Sequence, residues 1–244
     1  MTTAGEAKRA MQSFPVAPLR VITGDGPTLI LAPHADDETL GCGGLIAESA
    51  GAGRPVSVLV LTDGSQSHPT SPTWPKPRLV AARRQEVRDA LDTLGLTGPR
   101  VNFLGLPDAA APTTGPAFDA AVSAIAAQVL ATEARTVLAP WEHDPHCDHE
   151  AAHLMAAEVC RRLGLRHWAY PVWGWTLPDT HALPSIPHGV RLDVARHMPR
   201  KRRAIACHAT QYTGLIADDP AGFRLPAGLL AVFDQPFETF IRLN

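Results

Sequence analysis

Two short clusters of histidines and carboxylates dominate the chemistry that this sequence could perform. The first is Pro-His-Ala-Asp-Asp-Glu at residues 33–38, and the second is His-Asp-Pro-His-Cys-Asp-His at residues 143–149. Imidazole nitrogens and carboxylate oxygens are typical ligands of catalytic zinc, which uses three protein ligands and leaves one position open for water. The two clusters together therefore predict a metal-dependent hydrolase.

Each cluster directly follows a short apolar segment that reads as a buried strand. Residues 28–32 precede the first cluster, and residues 135–139 precede the second. In open α/β sheets, sites assemble at the carboxyl ends of the strands. We therefore expect the two clusters to meet at one edge of a sheet.

Two different ligand sets can be drawn from these residues, and the first lies within the second cluster. His149, Glu150 and His153 match the H-E-x-x-H pattern of helical zinc peptidases, in which Glu is the base. The longer form of that pattern fails, because Ala156 and Val159 stand where it needs Gly and His. This set also leaves the first cluster without a role, although a zinc peptidase stays an alternative.

The second ligand set uses both clusters, and we prefer it for that reason. His34, Asp37 and His149 would bind the metal, and Asp36 would reach the metal-bound water as a base. Neighbouring side chains in an extended segment point in different directions, so adjacent aspartates can take these two roles. His146 would stand free near the metal as an electrophile or acid.

Further carboxylates in the second cluster are candidates for orienting the imidazole ligands. Asp144 and Asp148 could each accept a hydrogen bond from a metal-binding histidine, as outer-shell carboxylates commonly do. Two histidines and one carboxylate also suit Fe²⁺ or another divalent metal, so a non-haem iron oxygenase is a second alternative. Asp36 and the alternation of strands and helices disfavour it. A non-catalytic binding protein of the same fold is the third alternative.

Composition sets the broad class of the protein. The chain has 244 residues, of which 45% are hydrophobic and 19% charged, which suits a single globular domain with a core. The net charge of −2 gives no electrostatic argument for a nucleic acid partner.

The sequence contains no uninterrupted apolar run of about 20 residues, so it predicts no transmembrane segment. The first 25 residues carry charges and lack an uninterrupted apolar core, so they do not read as a secretory signal and we expect a cytoplasmic location. The four cysteines form no CxxC pair, and free thiols are the expectation in a reducing cytosol. Oligomeric state cannot be read from the sequence.

The order of predicted elements favours an α/β fold with a mostly parallel sheet and helices on both faces. Residues 1–25 are predicted to be an irregular N-terminal arm, and residues 26–244 one domain. The predicted strands are 28–32, 56–61, 100–104, 135–139, 167–170 and 190–194. The predicted helices are 40–51, 78–94, 117–132, 149–163 and 199–208. Residues 209–244 are expected to cover the domain, and the loops 62–77, 105–116 and 174–189 to shape the substrate pocket.

Several segments resemble the motifs of the LmbE-like, or PIG-L, de-N-acetylases. The first cluster resembles the family's [A/P]-H-P-D-D-E motif, and residues 140–149 resemble its P-x(3)-D-x-H-x-D-H element. Residues 83–95 resemble an R-x-x-E…LG segment, and residues 103–108 resemble an F-L-G-L-P-D loop. Residues 201–211 are similar to a K-x-x-A-I…H-x-S-Q stretch. The resemblance covers roughly residues 27–212, in the order of the family.

The resemblance implies a Rossmann-like fold and zinc-dependent removal of an acetyl group from an N-acetylated amine, typically on a glucosamine unit. It implies the following roles: zinc ligands His34, Asp37 and His149, general base Asp36, oxyanion or leaving-group assistance by His146, and substrate contacts by Arg83 and Asp108. The partner would be a small N-acetylated amino sugar or its conjugate.

The sequence departs from the family pattern at three positions. Ala35 stands in place of Pro, Ala109 in place of Gly, and Thr210 in place of Ser. None of these positions is a proposed ligand or catalyst. The departures therefore leave the chemistry intact and bear on the fit of the substrate.

Overall fold

The computed structural model describes residues 1–244, which form nine strands and nine α-helices. The strands are β1 (Thr2–Thr3), β2 (Thr28–Ala32), β3 (Val56–Thr62), β4 (Val101–Leu106), β5 (Thr136–Pro140), β6 (Arg166–Tyr170), β7 (Ala182–Leu183), β8 (Gly189–Asp193) and β9 (Phe237–Arg242). The helices are α1 (Ala4–Gln12), α2 (Leu19–Thr23), α3 (Asp37–Gly51), α4 (Lys76–Leu94), α5 (Gly115–Thr132), α6 (Cys147–Leu163), α7 (Met198–Cys207), α8 (Ala209–Tyr212) and α9 (Ala227–Phe233).

Seven of the strands form one sheet in the order β4-β3-β2-β5-β6-β9-β8. The five strands from β4 to β6 are parallel, and β9 and β8 extend the sheet with antiparallel pairs. After β2 the chain builds the sheet toward β4 and then returns to place β5 on the other side of β2. The order therefore reverses between β2 and β5, and in open α/β sheets ligands bind at such a switch point.

Alternating residues of the central strands feed two cores on opposite faces of the sheet. Ile30 and Leu138 belong to the core under α3, α4 and α7, whereas Leu29 and Val137 belong to the core under α5 and α6. Strands that are covered on both faces have no need of polar residues, because successive side chains both enter apolar surroundings. This explains the continuous apolar segments in the sequence.

The predicted α/β fold with a mostly parallel sheet is confirmed. The six predicted strands correspond to β2 to β6 and β8, with ends that differ by at most two residues. The five predicted helices correspond to α3 to α7. Helix α3 begins at Asp37 rather than near residue 40, so the first cluster enters the first helical turn.

The prediction of irregular structure in residues 1–25 is wrong, because α1 and α2 lie there. Helix α1 starts with a capping box in which Thr3 and Glu6 bond each other's backbone amides. It buries Ala4, Ala7 and Met11, which share one helical face. The division of the chain at residue 25 stays a prediction.

The C-terminal region is a cover only in part, because β9 lies inside the sheet between β6 and β8. The sequence pattern does not reveal this strand, because a charged residue, Glu238, lies on the same face of it as Phe240 and both side chains are buried. Glu238 is satisfied there by the ammonium group of Lys201 at 2.7 Å and by the backbone amides of Gly44 and Leu45. A carboxylate with these partners can be buried at a strand position where the usual alternation of apolar and polar residues predicts an apolar side chain.

Helix α5 is the one helix long and apolar enough, by length and composition alone, to cross a membrane. Its 18 residues have a mean hydropathy of 1.2, and 22% of them are buried. Val122, Ile125 and Val129 pack into the core beside α6. One such helix is weak evidence for a membrane span, because helices that cover a sheet pass the same criterion.

All four cysteines are free thiols, as expected.

Candidate metal centre and active site

The parallel pairing of β2 with β5 brings the two clusters together. Ile30 lies opposite Leu138, so the segments that follow these strands leave the sheet side by side at its carboxyl edge. The ring centroid of His34 lies 4.6 Å from that of His146 and 5.4 Å from that of His149. The strand order thus joins two clusters that are far apart in the sequence.

The carboxylate of Asp37 lies between the two predicted histidine ligands. Its Oδ2 atom is 3.3 Å from Nδ1 of His34 and 3.2 Å from Nε2 of His149. Two ligands that bind one tetrahedral zinc at about 2.0–2.1 Å are about 3.3–3.4 Å apart. The Nε2 atom of His149 is also buried and has no hydrogen-bond partner. The spacing and the unsatisfied nitrogen fit a divalent metal held by these residues.

Both predicted outer-shell carboxylates contact the imidazole nitrogens that face away from this point. Asp148 Oδ2 is 3.0 Å from Nε2 of His34, and Asp144 Oδ2 is 3.0 Å from Nδ1 of His149. A carboxylate on the outer nitrogen fixes the tautomer and the ring orientation, leaving the inner nitrogen free to bind metal.

Asp144 also anchors a turn that borders the site. Its carboxylate accepts hydrogen bonds from the backbone amides of Val172, Trp173 and Gly174, at 2.9, 3.0 and 2.7 Å. Gly174 is required there, because a Cβ atom would come within 2.7 Å of Asp144 Oδ1. A single carboxylate thus connects the His149 imidazole with the 3₁₀ turn at Trp173–Thr176.

Asp36 has an unusual backbone and a buried carboxylate. Its φ angle is 152°, a conformation that L-residues rarely adopt, and strain of this kind clusters at functional sites. Burial raises the pKa of its carboxyl group to about 7, although the nearby Arg83 guanidinium opposes the shift. The guanidinium lies 3.5 Å from Asp36 Oδ2 and donates to the carbonyls of Gly64 and Ala35, both at 3.0 Å.

The carboxylates and imidazoles around Asp37 favour the presence of positive charge at this point. Burial alone would raise the pKa of Asp37, but the positive charge of His149 and hydrogen bonds hold it well below its usual range. Burial would lower the pKa of His149, yet Asp37 and Asp144 raise it to about 9. Protons on the histidines thus compensate the carboxylates, and a divalent cation could replace those protons.

His146 is held with one nitrogen directed away from the backbone. It caps α6, and its Nδ1 atom accepts the backbone N–H of Asp148 at 3.2 Å. Burial lowers the pKa of this imidazole, which favours the neutral form. Since Nδ1 is the acceptor, the proton of the neutral ring resides on Nε2. His146 is therefore a hydrogen-bond donor beside His34 and His149.

These residues line a cavity of about 390 Å³. Its polar wall includes Arg83 and Asp108, the two predicted substrate contacts. Asp108 lies 3.3 Å from Nε2 of His34 and accepts the backbone amide of Gln66 at 2.6 Å. The loops 62–77 and 105–116 thus reach the cavity as expected.

The expected contribution of residues 174–189 to this cavity is wrong. The cavity is lined instead by Trp173, just before this segment, and by Phe223 and Leu225 near the C-terminus. Sequence reasoning missed the last two, because no local pattern marks an apolar residue in a loop as part of a cavity. Trp175 points to a different groove.

Two further histidines, His153 and His208, lie outside the site. His153 is directed at the carbonyl of Pro140, at 3.3 Å, and faces the ring of His167. The groups of closely spaced ligand atoms are His34, His146 and His149; His146, Cys147 and Asp148; and His34, Asp108 and Asp148, so they contain neither His153 nor Asp37. Glu150 is exposed. The direction of His153 and the exposure of Glu150 therefore disfavour the peptidase alternative. His208 does not line the cavity and lies 3.0 Å from the hydroxyl group of Thr39.

Comparison with known proteins identifies the family. The sequence profile of PIG-L, the GlcNAc-PI de-N-acetylase family, matches residues 29–160, more than half of the chain. The chain belongs to the PIG-L family. A deacetylase of 1D-myo-inositol 2-acetamido-2-deoxy-α-D-glucopyranoside from Nocardia farcinica is 29% identical, over 78% of this chain and 82% of the relative. The enzyme of the same name from Rhodococcus erythropolis is also 29% identical, over 81% and 84%.

Two solved structures share the fold. The N,N'-diacetylchitobiose deacetylase of Pyrococcus horikoshii superimposes with a TM-score of 0.69 at 20% identity, over 96% of this chain and 88% of that chain. The 4-carboxy-2-hydroxymuconate hydratase GalB of Pseudomonas putida, at 21% identity, has a TM-score of 0.57 over 75% and 78%. Family membership confirms the predicted enzyme class, a hydrolase that removes an acetyl group from an amide nitrogen.

Proposed function

We propose that this PIG-L protein is a zinc-dependent deacetylase of an N-acetylglucosamine-type amino sugar or its conjugate. His34, Asp37 and His149 would hold the metal. The proposal depends above all on the position of Asp37 Oδ2, 3.3 and 3.2 Å from the two imidazole nitrogens, at the edge of a 390 Å³ cavity. The names of the Nocardia and Rhodococcus relatives, which are acetamido-sugar deacetylases, support the substrate class.

Zinc in this position would supply Lewis acidity to the amide carbonyl and to water. Asp36 would act as the general base, and its position in the same cavity directly beside Asp37 supports this role. Its carboxylate takes a proton from water while the water oxygen forms a bond to the acetyl carbon. The Arg83 guanidinium, fixed by two backbone carbonyls, keeps the Asp36 carboxylate in place.

His146 would stabilise the negative charge that develops on the former carbonyl oxygen. Its Nε2–H is the free donor, because Nδ1 already accepts the Asp148 amide. A fixed donor of this kind acts where charge appears in the transition state. The proton held by Asp36 then passes to the sugar nitrogen, the C–N bond breaks, and acetate and a free amine leave. Asp108, which lies beside His34, would contact the sugar.

Acetate release from N-acetylglucosamine glycosides, measured with and without a chelator, tests the proposal. Zinc-loaded protein should release one acetate for each free amine, and the chelator should stop the reaction. Asp36→Asn should lower kcat by at least about 100-fold while zinc content stays at the wild-type level. Glu150→Gln is the matched control, since the exposed Glu150 lies outside the site and its loss should be silent. Near-normal turnover by Asp36→Asn would remove Asp36 as the base, and loss of turnover in Glu150→Gln would restore the peptidase alternative.

A further inference from the structure

The active-site cavity is lined by two chemically different sets of residues. The polar wall comprises the groups proposed for catalysis and their polar neighbours, and the apolar wall comprises the apolar side chains. The apolar wall consists of Leu40, Ala109, Pro145, Trp173, Phe223 and Leu225. The rings of Trp173 and Phe223 meet edge to face, with centroids 5.8 Å apart. Such pairs keep a defined geometry and present an extended apolar surface to a ligand.

Backbone hydrogen bonds fix this apolar wall before any ligand arrives. The amide of Trp173 donates to Asp144 at 3.0 Å, and the amide of Phe223 donates to the carbonyl of Ser67 at 2.6 Å. The amide of Leu225 donates to the carbonyl of Gln211 at 2.9 Å. A preorganised wall contributes to affinity because binding does not need to order it.

Two aspartates tie the loop before Phe223 to the 62–77 loop. Asp218 accepts the hydroxyl of Ser71 at 2.7 Å and the amide of Thr73 at 3.0 Å. Asp219 accepts the amide of Thr70 at 2.9 Å. These contacts hold the loop that carries Phe223 against the 62–77 loop. Phe223 is therefore a fixed part of the apolar wall.

The charges of the cavity disfavour an anionic substrate. Arg83 is the only lysine or arginine among the lining residues, whereas Asp36, Asp37 and Asp108 are three carboxylates. Two nitrogens of Arg83 donate to the carbonyls of Gly64 and Ala35, its guanidinium pairs with Asp36, and its Nε, which has no partner, is buried. A bound divalent cation would leave the pocket formally neutral. No excess positive charge remains for a phosphate group, which proteins usually bind with free arginines, lysines or backbone amides.

From these observations we infer that the sugar substrate carries an uncharged, apolar aglycone, such as an aryl or alkyl group, which packs on Trp173 and Phe223. This inference rests on the proposed deacetylase function and specifies its substrate. The acetamido group lies at the polar wall, and the aglycone extends over the aromatic pair. The pocket thus favours an apolar partner for the sugar over a polyol or a phosphate ester.

Acetate release from three N-acetylglucosamine derivatives tests the inference: the phenyl glycoside, the methyl glycoside and the 1-phosphate. Wild-type kcat/KM should be about tenfold or more higher for the phenyl than for the methyl glycoside, as expected for burial of an aromatic face. The 1-phosphate should be the poorest substrate. Trp173→Ala and Phe223→Leu should each reduce the phenyl-to-methyl ratio at least about threefold.

Trp175→Ala is the matched control, because Trp175 lies in the same 3₁₀ turn, is also half-buried and lines a separate groove. It should keep the wild-type ratio. Equal kcat/KM for the phenyl and methyl glycosides, a preference for the phosphate, or the same loss of ratio in Trp175→Ala would overturn the inference. Failure of zinc-loaded protein to release acetate from any of the three compounds would instead refute the proposed function.

Discussion

Replacing Asp144 by asparagine should weaken zinc binding without removing a ligand. The wild-type carboxylate is fully buried and accepts four hydrogen bonds, from Nδ1 of His149 and from the amides of Val172, Trp173 and Gly174. Asparagine has one acceptor oxygen and no charge. It can keep the oxygen on His149 only by turning its NH₂ group toward the Gly174 amide. The imidazole then has a weaker acceptor, and one backbone donor lacks a partner.

Loss of an outer-shell partner typically costs about 10- to 100-fold in metal affinity. This corresponds to about 1.4–2.7 kcal/mol. The unsatisfied Gly174 amide should lower the free energy of unfolding by about 1–3 kcal/mol in addition. Because the two effects have separate causes, they should be measured separately. Competition with a zinc-binding dye at fixed pH gives the dissociation constant, and denaturant titration of the metal-free protein gives the stability.

Asp193→Asn is a matched control for this experiment. The Asp193 carboxylate also accepts a backbone amide, that of Ala195 at 2.9 Å, but it is exposed and contacts no histidine. This substitution should leave the zinc dissociation constant unchanged. The reasoning is refuted if folded Asp144→Asn protein binds zinc within twofold of the wild type. It is also refuted if Asp193→Asn weakens binding as strongly.

Three further predictions concern the turn, a buried ion pair and a buried histidine. Gly174→Ala should weaken zinc binding in the same dye competition, because its Cβ would press on Asp144; unchanged affinity would show that the turn is not coupled to the metal site. Lys201→Met should lower the free energy of unfolding by about 3–5 kcal/mol in denaturant titration, because it leaves the buried Glu238 carboxylate without its cation; a loss below about 1 kcal/mol would contradict this. Burial, and next the neighbouring His153, lowers the pKa of His167 to about 4 in the folded protein, whereas the unfolded chain keeps the ordinary pKa near 6.5. As the pH falls from 6.5 to 4, only the unfolded chain therefore takes up a proton at this histidine. Stability should fall by up to about 1.4 kcal/mol per pH unit over this window and about 3 kcal/mol in all; unfolding of wild type and His167→Phe at several pH values checks this, and parallel curves would refute it.

Much of the fold could be predicted from local patterns in the sequence. Strands β2, β3 and β5 are covered on both faces, so their apolar segments stand out from the rest of the chain. Helices such as α6 end at a glycine in the left-handed conformation, Gly164, which marks the boundary in the sequence. Strand β9 could not be recognised, because its buried Glu238 is compensated by a lysine that is 37 residues away.

The sequence by itself determined the candidate metal ligands and the enzyme class, because His34, Asp37 and His149 occur in short motifs with few other uses. Only the tertiary structure decided which atoms meet. It placed Asp37 Oδ2 between two imidazole nitrogens, directed His153 away from the site, and attached Asp144 to the turn beside Trp173. It also brought Phe223 into the pocket from a loop that carries no motif. The physical reason is that ligand chemistry depends on residue type, whereas the shape of a pocket depends on contacts between distant segments.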